Sequence, residues 1–429
     1  MTPPLLPLHS RPHTGRRILL ISPYPPSRTG LAEYAAVFAA QCAARGFEVR
    51  VLAEHLPEGG AVPPPPPNVE VEQVWTRDLG GMRRMYLAAR DDPAEVVHVS
   101  YSFTMFGGMV PGAIALLALG RLARNRPVVV TLHDVLPKRD LTRETLQMYH
   151  VRASPRFARM AVGAILKFLV RVADRIVVHG ATAAATLEND YGVPSDKIAI
   201  TEFPGYPTSN TGSVATHDPA PTPTILYYGF LAPYKGVETL LTAFARARAT
   251  VPDKSLRLVI AGDNHPRLTF DYASELRARA AQLGLGPNHV EFPGYVDEAA
   301  TARLFAQSTL VILPYLKTAG ASGTLATAMG ADRPVVVTDL PSLVAQLNGY
   351  AKSRVIRSGD VSELAETLRS VAEGRFVPRP PRAAAVGGVR RWDDLVDRTA
   401  DIYTSAIAAR QRDFAGFAGD LGAEAESTI

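Results

Sequence analysis

At 429 residues the chain exceeds the roughly 250 to 300 residues at which one hydrophobic core stops growing, so two domains are expected. Hydrophobic residues make up 47% and charged residues 20%, which excludes a disordered chain, and the single Cys42 excludes an internal disulfide and fits a reducing, cytoplasmic setting. The net charge of +5 comes from Lys and Arg scattered without interleaved aromatics, so no nucleic-acid partner is expected.

Residues 1–16 are broken by prolines and lack a continuous apolar run, which reads as a disordered leader and not as a signal peptide. From Arg17 onward short runs rich in Val, Ile and Leu alternate with helical stretches, the pattern of βαβ units and parallel sheets, so the class is α/β. In an amino-terminal domain, 17–207, strands are expected over 17–22, 47–52, 96–100, 127–132 and 175–180, with helices such as 31–45 and 181–190 between them. Five consecutive prolines, 63–67, would form a stiff polyproline II spacer in a surface loop. The apolar windows 114–122 and 161–172 are interrupted by Gly, Arg or Lys and fall short of the roughly 18 uncharged residues of a membrane span. The basic amphipathic segment 156–175 has the pattern of a surface helix, and the same pattern would suit peripheral contact with a membrane. Residues 208–223, rich in Ser, Thr, Pro and Gly, form the expected linker. Alternation restarts in a carboxyl-terminal domain, 224–390, with strands expected over 224–229, 255–262, 289–294, 308–314 and 333–339. A terminal helix over 391–412 precedes a frayed tail, 413–429.

Ligands of open α/β sheets bind beyond the carboxyl ends of the strands, so the loops there carry the chemistry. In PYPPSRTGLAEY, Gly30 opens a helix whose amides can face an anion. His133 and Asp134 follow a buried strand and would point into the cleft between domains. In YYGFLAPYKGVETLLTAF, Gly229 ends a strand and Lys235 precedes a helix; no P-loop is present, and the lysine would offer a point charge to a diphosphate. In AGASGTLATAMG, Ser322, Gly323 and Thr324 would start a helix whose free amides favour phosphate, and Tyr295 and Val296 in EFPGYV could frame a flat base. Each loop alone also fits an ordinary turn or close helix packing. The chain has no Asp/Glu cluster, Cys/His pair or G-x-S-x-G motif, which leaves phosphate binding by amides and a lysine rather than metal binding or nucleophilic hydrolysis.

Taken together, PPSRTGLAEY, VVVTLHD, DRIVVHGATAAATLENDYGVPSDKIAI, ILYYGFLAPYKGVETLLTAF, LRLVIAG, VEFPGYV and SGTLATAMGADRPVVVTD resemble the retaining GT-B glycosyltransferases of glycosyltransferase family 4. The resemblance spans about residues 17 to 409, with the motifs in the family's order. It implies two Rossmann-like, doubly wound parallel-sheet domains facing a central cleft. The carboxyl-terminal domain would hold a nucleotide diphosphate sugar (UDP, GDP or dTDP), the amino-terminal domain a small-molecule or glycan acceptor, and the last helix would cross back to the first domain. By resemblance Lys235 and His133 are catalytic, the lysine neutralising the leaving diphosphate and the histidine lying beside the sugar. Gly30, Gly229, Gly262, Tyr295, Val296, Ser322, Gly323, Thr324, Leu325 and Thr327 are the expected further donor contacts; Arg28, Glu33, Tyr101 and Asp134 are the expected acceptor contacts. Neither a metal nor another cofactor is implied.

Two motifs depart from the family pattern. Phe230 stands where G-R-x4-K-G carries an arginine, and the Glu-x7-Glu pair that usually holds the sugar and the ribose falls on Ala319 and Thr327. Phosphate contacts are therefore expected to dominate donor binding. A catalytically silent GT-B protein that binds a nucleotide or partner, and an enzyme coupling cyclitols on the same fold, are the alternatives.

Overall fold

The computed structural model describes residues 15–426 apart from 57–61, 104, 149–150, 152, 206–221, 253–255, 267, 319 and 382–390, with side chains described as far as 412. The first half forms β1 (Arg17–Ile21), β2 (Glu48–Glu54), β3 (Val69–Trp75), β4 (Val96–Tyr101), β5 (Val128–Leu132), β6 (Arg175–His179) and β7 (Ile198–Thr201). The second half forms β8 (Thr224–Tyr228), β9 (Arg257–Ala261), β10 (Val290–Gly294), β11 (Leu310–Leu313), β12 (Val335–Thr338) and β13 (Ser353–Ile356). They assemble into a seven-stranded sheet of order β3-β2-β1-β4-β5-β6-β7 and a six-stranded sheet of order β10-β9-β8-β11-β12-β13. Every pairing is parallel.

Central strands of a parallel sheet are covered on both faces, which requires unbroken apolar runs. Every residue of β4, β5, β11 and β12 is buried accordingly. The alternation of βαβ units is as expected, and three strands go beyond it: β3, β7 and β13. All three lie at sheet edges. Their sequences, such as VEVEQVW in β3 with its exposed or half-exposed glutamates, lack the apolar run that marks a central strand.

One core covers one face of the first sheet beneath the helices Leu79–Asp91, Met109–Leu122 and Pro155–Val172. A second covers the other face, where Ile18, Leu20 and Val51 meet Tyr34 and Phe38 of the helix Gly30–Ala44 and Trp392, Leu395, Val396 and Tyr403 of the last helix. The chain thus returns after its second sheet to seal its first. Polar contacts fix that return: Trp392 Nε1 donates to the Gly205 carbonyl at 2.8 Å, Arg410 pairs with Asp174 at 2.9 Å, and Arg45 pairs with Asp393 at 3.0 Å and with Asp397. This helix runs over Trp392–Glu426 instead of giving way to a frayed tail after 412. The expected leader (1–16) and linker (208–223) lie outside the described residues except at 15–16 and 222–223. Among the described residues no helix is long and apolar enough to cross a membrane.

Candidate active site

In both sheets the strand order reverses at one point: β1 has β2 on one side and β4 on the other, and β8 has β9 and β11. At such a switch point the following loops diverge and leave a crevice beyond the carboxyl ends. Here the two crevices face each other and enclose one cavity of about 370 Å³, lined from the first half by residues including Gly30, Glu33, His133, Asp134 and His179, and from the second by residues including Gly229, Lys235, Tyr315 and Ser322.

The second-half wall is built for an anion. Lys235 ends the short 3-10 turn Pro233–Lys235, and Gly236 follows at φ 70°, where an added Cβ would fall on the Pro314 carbonyl oxygen. Only glycine permits this approach, which sets the lysine on the cavity wall. Its Nζ lies 3.7 Å from the centroid of the Tyr315 ring and 5.5 Å from that of Tyr234. Burial pulls the ammonium's pKa down, but the two phenol groups outweigh it and lift the pKa above its ordinary value, so the charge is kept. The reverse holds for Tyr315: burial pushes its hydroxyl up, and Lys235 with the Ser322 and Thr324 side chains brings it below its ordinary value.

Beside the lysine begins the helix Gly323–Gly330. Ser322 caps it, its Oγ accepting from the Leu325 amide at 3.3 Å, and Gln346 grips both sides of the Ser322 backbone at 2.8 and 2.9 Å. Thr324 Oγ1 donates to the Tyr228 carbonyl at 3.0 Å. First-turn amides have no intrahelical acceptor, so with Leu325 taken by the cap, Gly323 and Thr324 offer theirs at the cavity wall. Helix terminus, ammonium and hydroxyls converge there. Nearby, Gly262 (φ 145°) passes so close to the Gly229 carbonyl that a Cβ would overlap it, leaving a floor of backbone. Phe230 and His265 stack edge to face at 5.7 Å over that side.

The first-half wall is neutral and acidic. His133 Nε2 lies 2.8 Å from Ser100 Oγ, and burial, then the neighbouring His179 and His98, holds its pKa well below the ordinary value. A Cβ on Gly320 would strike the His133 carbonyl oxygen, so the two halves touch directly at this residue. Asp134 accepts a short hydrogen bond from Ser102, and the Arg77 guanidinium is engaged by both carboxylate oxygens of Glu54 at 2.6 and 3.0 Å. Burial raises the Glu33 carboxyl. Among the described residues no group of three or more His, Cys, Asp or Glu is placed to share a metal ion.

Two family profiles cover most of this architecture: Glycosyltransferase Family 4 matches residues 28–202, and Glycosyl transferases group 1 matches residues 222–373. The chain belongs to glycosyltransferase family 4. A D-inositol 3-phosphate glycosyltransferase of a Nocardioides species is 27% identical over 315 residues, which is 68% of this chain and 65% of that relative. A phosphatidyl-myo-inositol mannosyltransferase of Mycobacterium leprae is 24% identical over 82% of this chain and 85% of its own. In fold, an Anabaena protein crystallised with UDP-glucose superposes with a TM-score of 0.61 at 16% identity, covering 90% of this chain and 99% of that one. The sucrose-phosphate synthase of Thermosynechococcus elongatus reaches 0.66 at 15% identity, covering 92% and 100%. The chain is therefore a GT-B glycosyltransferase.

Of the positions that the family 4 resemblance singles out, Gly30, Glu33, His133, Asp134, Gly229, Lys235, Gly262, Tyr295, Val296, Ser322, Gly323 and Thr324 line the cavity. Four do not. Tyr101, expected on the acceptor, is 3% exposed and packs against Phe103 and Phe106 in the core. Leu325 is a core residue whose amide is already used by the cap. Thr327 is 2% exposed and lies under Gly205, so it does not reach the cavity as a ribose contact would. Arg28 stacks on the Tyr295 ring at 4.9 Å, reaching across the cleft to the second half. Ala319 lies outside the described residues. Sequence reasoning missed His179, Arg77, Ser102, His265 and Tyr315, all cavity-lining residues at or just beyond strand ends or in the loops there. The rule that selected His133 after β5 selects His179 at the end of β6 when it is applied to every strand.

Proposed function

We propose that this glycosyltransferase moves a sugar from a UDP, GDP or dTDP sugar to a small-molecule or glycan acceptor with retention of anomeric configuration and without a metal. The observation that carries the reading is the Lys235 ammonium, held beside the free amides of Gly323 and Thr324 and opposed across one cavity by the neutral His133. A departing nucleoside diphosphate gathers negative charge on its phosphate oxygens, and preorganised amides with a cation stabilise it as it forms. Breakage of the bond from the anomeric carbon to the phosphate oxygen, attack of the acceptor hydroxyl on the same face and passage of its proton to the departing phosphate together balance the reaction. No protein base is required. His133, kept neutral, is a hydrogen-bond partner for the sugar.

UDP and UDP-glucose in Anabaena structures of the same fold, and inositol-type acceptors in the names of two relatives, support a nucleotide-sugar donor and a polyhydroxylated acceptor. A silent protein is not favoured, because the cation, the open helix terminus and His133 all remain aimed at one cavity. The test is a panel of nucleotide sugars scored for hydrolysis and thermal stabilisation, then transfer to an acceptor panel. Stabilisation by none of them would reject the reading.

Peripheral membrane contact belongs to the same proposal. The helices Met109–Leu122 and Pro155–Val172 carry Arg121, Arg156, Arg159, Lys167 and Arg171, contain no acidic residue, and expose Met109, Val110, Leu117, Phe157 and Met160. Basic and exposed apolar groups on neighbouring helices suit an anionic bilayer. Cosedimentation with phosphatidylglycerol vesicles but not with phosphatidylcholine vesicles is the expected result; equal binding to neither removes the contact.

A further inference from the structure

His179 ends β6 on the cavity wall, its ring centroid 5.3 Å from that of His133. Its Nδ1 lies 3.0 Å from Thr201 Oγ1, and that hydroxyl directs its own proton to the Val178 carbonyl at 3.4 Å. A hydroxyl with its proton committed can only accept from the imidazole. This network assigns the ring proton to Nδ1 and leaves Nε2 with a bare lone pair. That nitrogen is buried and has no hydrogen-bond partner among the described residues. Phe203 packs edge-on against the ring at 5.0 Å and Tyr34 lies at 5.5 Å, so the imidazole is wedged in place on the cavity wall.

Buried polar atoms are almost always paired, and an unpaired one in a substrate cavity is a place reserved for a ligand's complementary group. What complements a bare imidazole nitrogen is a hydrogen-bond donor. Phosphate and carboxylate oxygens have no proton to offer at neutral pH, whereas every sugar hydroxyl does. Burial keeps His179 neutral, with a pKa lowered to about 3, so the acceptor persists across the physiological range.

We propose that His179 Nε2 accepts a hydrogen bond from a substrate hydroxyl and that His179 is thereby a specificity-determining residue for transfer. The inference rests on the nucleotide-sugar reading above. The hydroxyl belongs to the donor sugar or to the acceptor, and the chemistry recognised is the same. It adds a sugar contact from the first half of the chain, at a position absent from the site residues that the resemblance implies.

The experiment uses the full chain and the nucleotide sugar that the wild type turns over best. His179→Ala is expected to lower kcat/KM about tenfold, while affinity for the matching free nucleoside diphosphate stays unchanged. Deoxy analogues then name the hydroxyl: one analogue should cost the wild type about the same factor and cost the variant nothing further. Non-additivity with a deoxy donor assigns the contact to the donor; non-additivity with a deoxy acceptor, with donor hydrolysis untouched, assigns it to the acceptor. Histidine-selective nitrogen-15 spectra give a readout that a structural role would not move. Nε2 of His179 should resonate as an unprotonated nitrogen and shift on addition of the nucleotide sugar, not on addition of the diphosphate. A protonated Nε2, a loss shared equally by diphosphate and sugar nucleotide, or additive behaviour with every analogue in a variant of normal melting temperature overturns the inference while leaving the donor reading intact. Absence of wild-type turnover on any nucleotide sugar removes both.

Discussion

Replacing Lys235 by Met keeps most of the side-chain volume and removes only the charge. In the resting protein that charge has no carboxylate partner among the described residues; it lies over the Tyr315 ring at 3.7 Å, an arrangement worth up to about 2 kcal/mol when desolvated and opposed by the cost of burying the ammonium. Those contributions nearly cancel, so the melting temperature of Lys235→Met should stay close to wild type. The transition state differs, because the ammonium there faces a leaving diphosphate. Removing one preorganised donor of this kind costs roughly 3 to 4 kcal/mol, a drop of about a hundredfold to a thousandfold in kcat. Diphosphate affinity, measured by calorimetry, should fall as well. The pH dependence has a definite sign. Since the lysine's pKa is raised, its contribution is fully present below the ordinary lysine value and is lost only as pH rises through the folded one, so the rate difference between wild type and variant should be constant from neutral pH to about pH 9. A folded variant with wild-type kcat would refute the assignment of Lys235 to the leaving group.

Five further outcomes are expected. His133→Ala should lower the chemical step more than donor affinity; a variant that keeps kcat and loses only affinity shows a binding role alone. Burial depresses His98 and His179 to about 3 and His133 in the same direction, so the unfolded chain takes up protons first as pH falls below about 6.5, and each histidine should remove up to about 1.4 kcal/mol of stability per pH unit until the folded pKa is reached. Melting curves from pH 7 to pH 4 check this, and a flat profile contradicts it. Thr327→Glu should destabilise the fold by roughly 3 kcal/mol or more without tightening nucleotide binding, since the site is buried under Gly205 and a carboxylate there would be desolvated; a tighter nucleotide with an unchanged melting temperature would show that the position reaches the ribose. Gly236→Ala, at φ 70° against the Pro314 carbonyl, should lose about 1 to 2 kcal/mol from backbone conformation alone and more from the clash, together with diphosphate affinity, as calorimetry and thermal melts would report. The free nucleoside diphosphate should bind far better than the nucleoside, and chelator should leave transfer intact; equal affinities, or an absolute Mg²⁺ requirement, would reject a site built on Lys235 and the helix terminus.

The sequence alone determined the class, the two sheets and most of the cavity wall. Strands such as β4 and β5, covered on both faces, must be written as unbroken apolar runs, and the loop after such a strand is where a parallel sheet presents its ligand residues. His133, Lys235 and Ser322 were legible for that reason. Three of the four edge strands escaped because their runs are mixed or short: β3 alternates glutamate with valine, and β7 and β13 have four residues each. Tertiary structure decided everything that depends on two distant segments meeting. Whether Tyr101 points to core or cleft turns on which face of β4 is covered, and Thr327 is lost to the site because Gly205, from the other half of the chain, closes over it. Arg28 reaches Tyr295 and Gly320 presses on His133 only once the domains are docked. The unpaired nitrogen of His179 likewise exists only in the folded chain, because its partner on the other nitrogen, Thr201, comes from the neighbouring strand and local sequence carries no record of that pairing.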